Sequence, residues 1–219
     1  MNTAKESEWR ALRDPASFER VAALLPGVGP WLAAAEPISD VLPMGQLRNT
    51  VRHTVDEEGP IVTGVVPIGD ARCHTNPTFA FGASLSLAQA VLLADVVHTA
   101  ADETELVTRF EAVVGPDTAA RFDAVATEDR DRVRLWSGEP IDPSDRTDTM
   151  PLFLRTVVYR AAAMDPQILR AVCRRINLLD PVDALAQNTE LLDRAAAIAG
   201  ELPPVTQPAK AEAAAALHG

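Results

Sequence analysis

Residues 64–93 read GVVPIGDARCHTNPTFAFGASLSLAQAVLL. The stretch divides into an apolar run, a loop containing Pro and Gly, and a long apolar helix. From Ile61 to Ile68 the chain is apolar apart from Thr63 and Gly64, the pattern of a strand covered on both faces. It ends in Gly69-Asp70, so one carboxylate is expected at the carboxyl end of a buried strand with a helix N-terminus soon after. Open α/β sheets bind ligands at such places, because the loops leave a crevice and unpaired helix N–H groups face into it. An ionised acceptor such as Asp70 makes hydrogen bonds roughly twice as strong as a neutral one. The competing reading is a turn aspartate that bonds only local backbone. Gly69 is read as letting the backbone approach a ligand closely.

Downstream of the loop, a helix is expected from about Ala83 to Ala101. Leu85, Leu87, Ala88, Val91, Leu92 and Val96 make it apolar nearly all round, which predicts deep burial. Upstream, Asp14-Pro15 and Ser17 carry helix-start chemistry ahead of Phe18, Val21, Ala22, Leu24 and Leu25. Pro26 to Pro30 stops that helix, and Trp31-Leu32-Ala33 begins another. Ile38–Leu42 and Leu47–Val55 alternate as half-buried strands do, and Asp56–Pro60 is a turn.

The remainder is helical and more polar. Helices are expected at Glu103–Val114, closed by Gly115-Pro116, and at Asp117–Trp136. After a loop from Gly138 to Met150, three more follow at about Pro151–Met164, Pro166–Asn177 and Pro181–Ile198. Each starts at or near a proline, whose missing N–H has no partner in a first helical turn anyway. The Pro- and Ala-rich tail is expected to be mobile. The fold class is thus α+β and helix-rich. Its zones are 1–60 with short helices and strands, 61–101 with the strand–loop–helix segment, 102–202 helical, and 203–219 a flexible tail.

The chain has 219 residues and a net charge of −11. That charge argues against nucleic acid, which needs a basic surface, and against anionic membranes. Two cysteines, Cys73 and Cys173, make no disulfide framework and suit a reducing compartment. The first residues lack the apolar core of a signal peptide, and no run approaches a bilayer span. A cytoplasmic location is expected.

Gly69-Asp70-Ala71, His74, Asn76-Pro77, Gly82 and the Ala-rich helix after it resemble the second flavin-contact motif of FAD-dependent monooxygenases and related oxidoreductases. The chain resembles only the C-terminal portion of such proteins. The Gly-x-Gly-x-x-Gly turn that binds the FAD pyrophosphate is missing; Gly27-Val28-Gly29 comes nearest but is followed by Pro30. The resemblance implies a partial FAD/NAD(P)-binding, Rossmann-like domain. It implies cofactor contacts from Gly69, Asp70, Pro77, Ala80, Gly82 and Ala83, with Asp70 on the ribityl hydroxyls of FAD. The loop from Pro77 to Gly82 would lie against the flavin ring, and the helix after it would stabilise negative charge on reduced flavin. The family pattern P-x-x-G-x-G here reads Pro77-Thr78-Phe79-Ala80-Phe81-Gly82. Ala80 brings a Cβ where a positive φ favours glycine, and Phe81 is bulky where many relatives are polar or basic.

No catalytic side chain is assigned, because oxygen and hydride chemistry belongs to the cofactor. Cys73 and His74 lack the spacing of a zinc site, so no metal is expected, and His74 is read as a loop hydrogen-bonding residue. Arg48, Arg52 and His53 are read as solvated strand residues, with ligand contact the alternative. Trp31 and Trp136 are read as packing residues, and Met44-Gly45 resembles a stretch of these flavoproteins near the substrate region.

Three functions remain open. The first is an FAD-dependent oxidoreductase of monooxygenase type, completed by an N-terminal half, binding FAD weakly alone and using NAD(P)H as reductant only when complete. The second is a flavin-free ligand-binding or cyclase-like derivative. The third is an interaction subunit that completes a partner flavoprotein, or a homo-oligomer, because a lone half exposes apolar area and unpaired strand. The substrate is a small molecule the motif does not choose.

Overall fold

The computed structural model describes residues 7–44, 48–142, 145–147, 149–203 and 208–218. Its helices are α1 (Pro15–Ala23), α2 (Gly29–Ala33), α3 (Gly82–Val97), α4 (Glu103–Trp136), α5 (Met150–Phe153), α6 (Tyr159–Ala161), α7 (Pro166–Ile176), α8 (Ala184–Gln187), α9 (Thr189–Glu201) and α10 (Lys210–Ala216). The strands are two residues each: β1 (Thr50–Val51), β2 (Val55–Asp56), β3 (Gly59–Pro60) and β4 (Cys73–His74). The fold is α+β and dominated by helix. Two compact units divide it, one of residues 1–46, 135–139 and 203–219, the other of 47–134 and 140–202. Among the described residues, no helix is long and apolar enough to cross a membrane.

The first unit is closed by distant segments of chain. Asp14 caps α1 by accepting from the Ser17 N–H at 2.9 Å, with Pro15 at the first helical position. Val21 on α1 is fully buried against Trp9, Ala213 and Leu217, and Trp9 meets Trp136 edge-on at 5.1 Å between ring centroids. The Ser17 hydroxyl and the Arg20 Nε donate to the carbonyls of Leu217 and Ala216, both at 2.9 Å. The tail expected to be mobile therefore carries α10, packed by Ala213 and Leu217; residues 204–207 and 219 lie outside the described residues. Trp136 packs as expected, whereas Trp31 is exposed. The strand expected at Ile38–Leu42 is absent, and Ile38 and Leu42 are exposed coil.

In the second unit β1 pairs antiparallel with β4, Thr50 opposite His74 and Val51 opposite Cys73. β2 and β3 form a hairpin about the turn expected at Asp56–Pro60, with Gly59 at φ +121°. Of the strand expected at Leu47–Val55, only residues 50–51 and 55 enter ladders; Leu47 lies outside the described residues. Both ladders are antiparallel, so the parallel pairing of a Rossmann-like sheet has no counterpart among the described residues.

The strand expected at Ile61–Ile68 is not formed. Gly64 turns the chain at φ +76°, and Pro67 brings no N–H to a ladder. Val66 and Ile68 pack half-buried against Val96, Phe110 and Val114 of α3 and α4, while Ile61, Val62 and Val65 are exposed.

α3 buries Leu85, Gln89 and Val96 but leaves Leu87 68% and Val91 56% exposed, so the deep burial expected of it holds for one face only. α4 runs unbroken through Gly115-Pro116, where two helices were expected. Beyond it, Phe153, Val158, Ile168 and Leu192 centre a second core. The helix expected at Pro151–Met164 is α5 and α6 joined by a π-helical turn, Leu154–Val158. The one expected at Pro181–Ile198 is split at Asn188, whose side chain caps α9 by accepting from the Leu191 N–H.

Candidate functional site

Gly69 opens a short 3-10 turn, Gly69–Ala71, at φ +56°. A Cβ there would sit 2.3 Å from the Ser86 hydroxyl on α3, so only glycine lets this turn lie against the helix. Its N–H donates at 2.8 Å to the side-chain oxygen of buried Gln89, whose amide donates in turn to Thr118 on α4. The turn is thereby fixed to both long helices.

Asp70 projects from it with a side chain 72% exposed, 3.5 Å from the His74 Nδ1. Among the described residues its carboxylate accepts no backbone hydrogen bond, unlike a local turn aspartate. A Cβ built on Gly82 would come 3.6 Å from the Asp70 Oδ1, so the carboxylate stands beside the first residue of α3. No side chain caps that helix end. Its first amides have no intrahelical acceptor by geometry, and they carry the positive end of the helix dipole.

The loop between is held by Asn76, which accepts from the Thr78 N–H and hydroxyl at 3.1 and 2.8 Å. Pro77 starts a 3-10 turn, Pro77–Phe79, and exposed Ala80 follows at φ +58°. An alanine therefore does occupy the left-handed position, at a steric cost of roughly 1–2 kcal/mol. Ala83 is exposed on the first turn of α3. The structure thus brings Asp70 to Gly82; neither Pro77 nor Ala80 hydrogen-bonds to it.

His53 and Arg52 have structural partners. Arg52 donates to the Ala71 carbonyl at 3.1 Å, and the His53 Nδ1 lies 2.8 Å from Glu111. Cys73 is buried, which pushes its thiol up despite the Arg72 charge, the reverse of what a nucleophile needs. Among the described residues no group of three metal-ligating side chains forms. Of the Met44-Gly45 pair, Met44 is exposed and Gly45 lies outside the described residues.

The polar frame under this site was not read from the sequence. Arg72, fully buried, sets two guanidinium nitrogens 2.9 and 2.8 Å from the two oxygens of Glu111 on α4. Burial would raise the Glu111 carboxyl. Hydrogen bonds from Arg72 and His53, the Arg72 charge and the Thr54 N–H outweigh it and lower the carboxyl from 4.5 to about 2. Further along α4, Asp129 accepts from Asn49 at 2.8 Å and from Asn76 at 2.7 Å, tying the approach to β1 and the loop to one carboxylate. A signal was present: Glu111 lies on the apolar stripe Val107, Phe110, Val114, and Gln89 on the stripe Leu85, Leu92, Val96. A polar residue on such a stripe demands a partner.

No protein-family model, curated protein or solved structure matches the chain.

Proposed function

We infer that the chain is the C-terminal part of a cytoplasmic FAD-dependent oxidoreductase of monooxygenase type, contacting flavin through the Gly69-Asp70 turn and the N-terminus of α3. The observation that carries this reading is the exposed Asp70 carboxylate held beside Gly82 at the uncapped end of α3. The donor set suits that part of FAD: an ionised acceptor for ribityl hydroxyls, and backbone N–H groups for the anionic edge of a reduced ring. Bound FAD would supply the redox chemistry, with NAD(P)H as reductant in the complete enzyme. The chain's own part is to hold the ribityl at Asp70 and to stabilise negative charge at Gly82 and Ala83. On this reading the parallel, Rossmann-like sheet and the pyrophosphate cradle come from a separate N-terminal half.

One observation favours an interaction subunit completing a partner flavoprotein. Ile61, Val62, Val65, Leu87 and Val91 are all exposed, as expected where a missing half would pack. The left-handed Ala80 and the bulky Phe81 instead favour a flavin-free binding protein.

Visible absorbance and a flavin-fluorescence titration of the purified chain separate these readings. Saturable binding, weakened about tenfold in Asp70→Ala through loss of charged hydrogen bonds, is the expected result. Absence of binding at millimolar FAD would overturn flavin contact by the chain alone.

A further inference from the structure

A second polar centre lies on the opposite stretch of α4. Glu128, buried, accepts from the Arg155 Nη1 at 3.1 Å. The charges of Arg155, Arg175 and Arg132 all act on it. Asp129, which accepts from Asn49 and Asn76, forms an ion pair with the Arg132 Nη1 at 3.6 Å, beyond hydrogen-bond range. Three guanidiniums therefore act on Glu128, and two carboxylates, Glu128 and Asp129, answer them.

Two of their donors have no acceptor. The Arg132 Nη1 and the Arg175 Nε are buried and make no hydrogen bond, although Arg175 also donates to the Tyr159 hydroxyl at 3.0 Å. Orphaned charged donors are costly to bury and are normally satisfied by an acceptor. Arg155 reaches Glu128 from the π-helical turn Leu154–Val158, a local irregularity found frequently at functional sites.

Space adjoins the charge. Arg175 and Glu128 line a small cavity with Phe81, Val125 and Leu178. A larger one of about 370 Å³ shares Arg121 and Leu178 with it and is walled by Leu85, Leu92 and Leu179 and by Asp117 and Asp180, which are paired with Arg121 and Arg174. That volume lies within the range of small-molecule pockets, roughly 300–1,000 Å³. Leu178 is held at φ +57°, a conformation costly for a leucine and often kept at binding sites. Arg121 is itself paired with Asp117 at 2.7 Å, so the free positive charge lies at the Arg175 end.

We propose that this region binds a small amphipathic carboxylate, its head on Arg175 and its apolar body in the cavity beyond Leu178. Burial pushes the Glu128 carboxyl up, and the charges of Arg155, Arg175 and Arg132 oppose it. The site needs no FAD, although Phe81 of the loop expected to lie against the flavin ring lines its smaller cavity.

The test is calorimetric titration of the full chain with octanoate, acetate and octanol, without flavin. Octanoate is expected to bind saturably and at least tenfold more tightly than either fragment. Arg175→Gln, shown folded by circular dichroism, should weaken it about tenfold, the loss of one charge-assisted hydrogen bond, whereas Arg132→Gln, at a residue that lines neither cavity, should leave it unchanged. Acetate binding as tightly as octanoate would overturn the amphipathic class, and octanol binding as tightly would overturn the role of charge. Octanoate binding that survives Arg175→Gln would place the ligand on exposed apolar surface and sink the proposal.

Discussion

Glu111 concentrates much of the electrostatics of the second unit in one side chain. It answers a fully buried arginine, an exposed histidine and the backbone of Thr54. Removing its charge leaves Arg72 unpaired, which typically costs about 3–5 kcal/mol. A carboxyl lowered in the folded state contributes stability above its unfolded value, and loses it as pH falls through the folded one. For Glu111 that window runs from 4.5 down to about 2. Glu111→Gln should therefore be markedly less stable than the parent in urea unfolding at pH 7, with the difference shrinking below pH 4.5 and gone near pH 2. A difference independent of pH would mean that the pair does not carry the effect. The Gly69-Asp70 turn was legible because glycine and aspartate are turn residues. Their supports were not, because Arg72 with Glu111 and Asn76 with Asp129 meet only through tertiary packing across 39 and 53 residues of chain.

Helix boundaries show which local rules yield to packing. Pro116 lacks the N–H that would bond back one turn, a strong reason to end a helix there. Yet Phe110 and Val114 before it and Val125 after it are all buried on α4, and that shared burial carries the helix through. Asn188 is the opposite case, a local signal that wins. Its side chain takes the place of a missing helical acceptor for Leu191 at 3.1 Å, so α8 and α9 separate where the apolar pattern read as one helix. Asn188→Ala should lower stability by about 1 kcal/mol, the usual worth of such a cap, measurable as a lower midpoint in thermal unfolding. No change would show that α9 is positioned by Leu192 and Ala195 alone. Helix content was legible from periodicity and prolines. Strand content was overread: apolar alternation at 38–42 and an apolar run at 61–68 match strand patterns, but a strand needs a neighbour, and the strands among the described residues are two residues each.

At the scale of the whole molecule, exposed apolar side chains contrast with a strongly acidic composition. Leu87 and Val91 stand one turn apart on α3, and neither contributes to the buried clusters. Replacing both with lysine should cost little stability, within about 0.5 kcal/mol for each surface change, and should reduce self-association in sedimentation velocity and binding of a hydrophobic dye. Unchanged dye binding would locate the exposed apolar area elsewhere, and a cooperative loss of structure would mean that this face is buried after all. The first unit is built from both ends of the described chain, with Val21 against Leu217 and Ser17 bonded to the Leu217 carbonyl. On the ribosome, then, α1 can pack at once on the segment carrying Trp9 and on α2, but it lacks Ala213 and Leu217 until α10 has been made, a wait of roughly 10–40 s at ordinary elongation rates. The second unit lies wholly between these segments and can close first. Vectorial synthesis thus assigns the order of assembly: the middle of the chain folds while its first helix waits, a client for any chaperone that recognises unpartnered apolar segments.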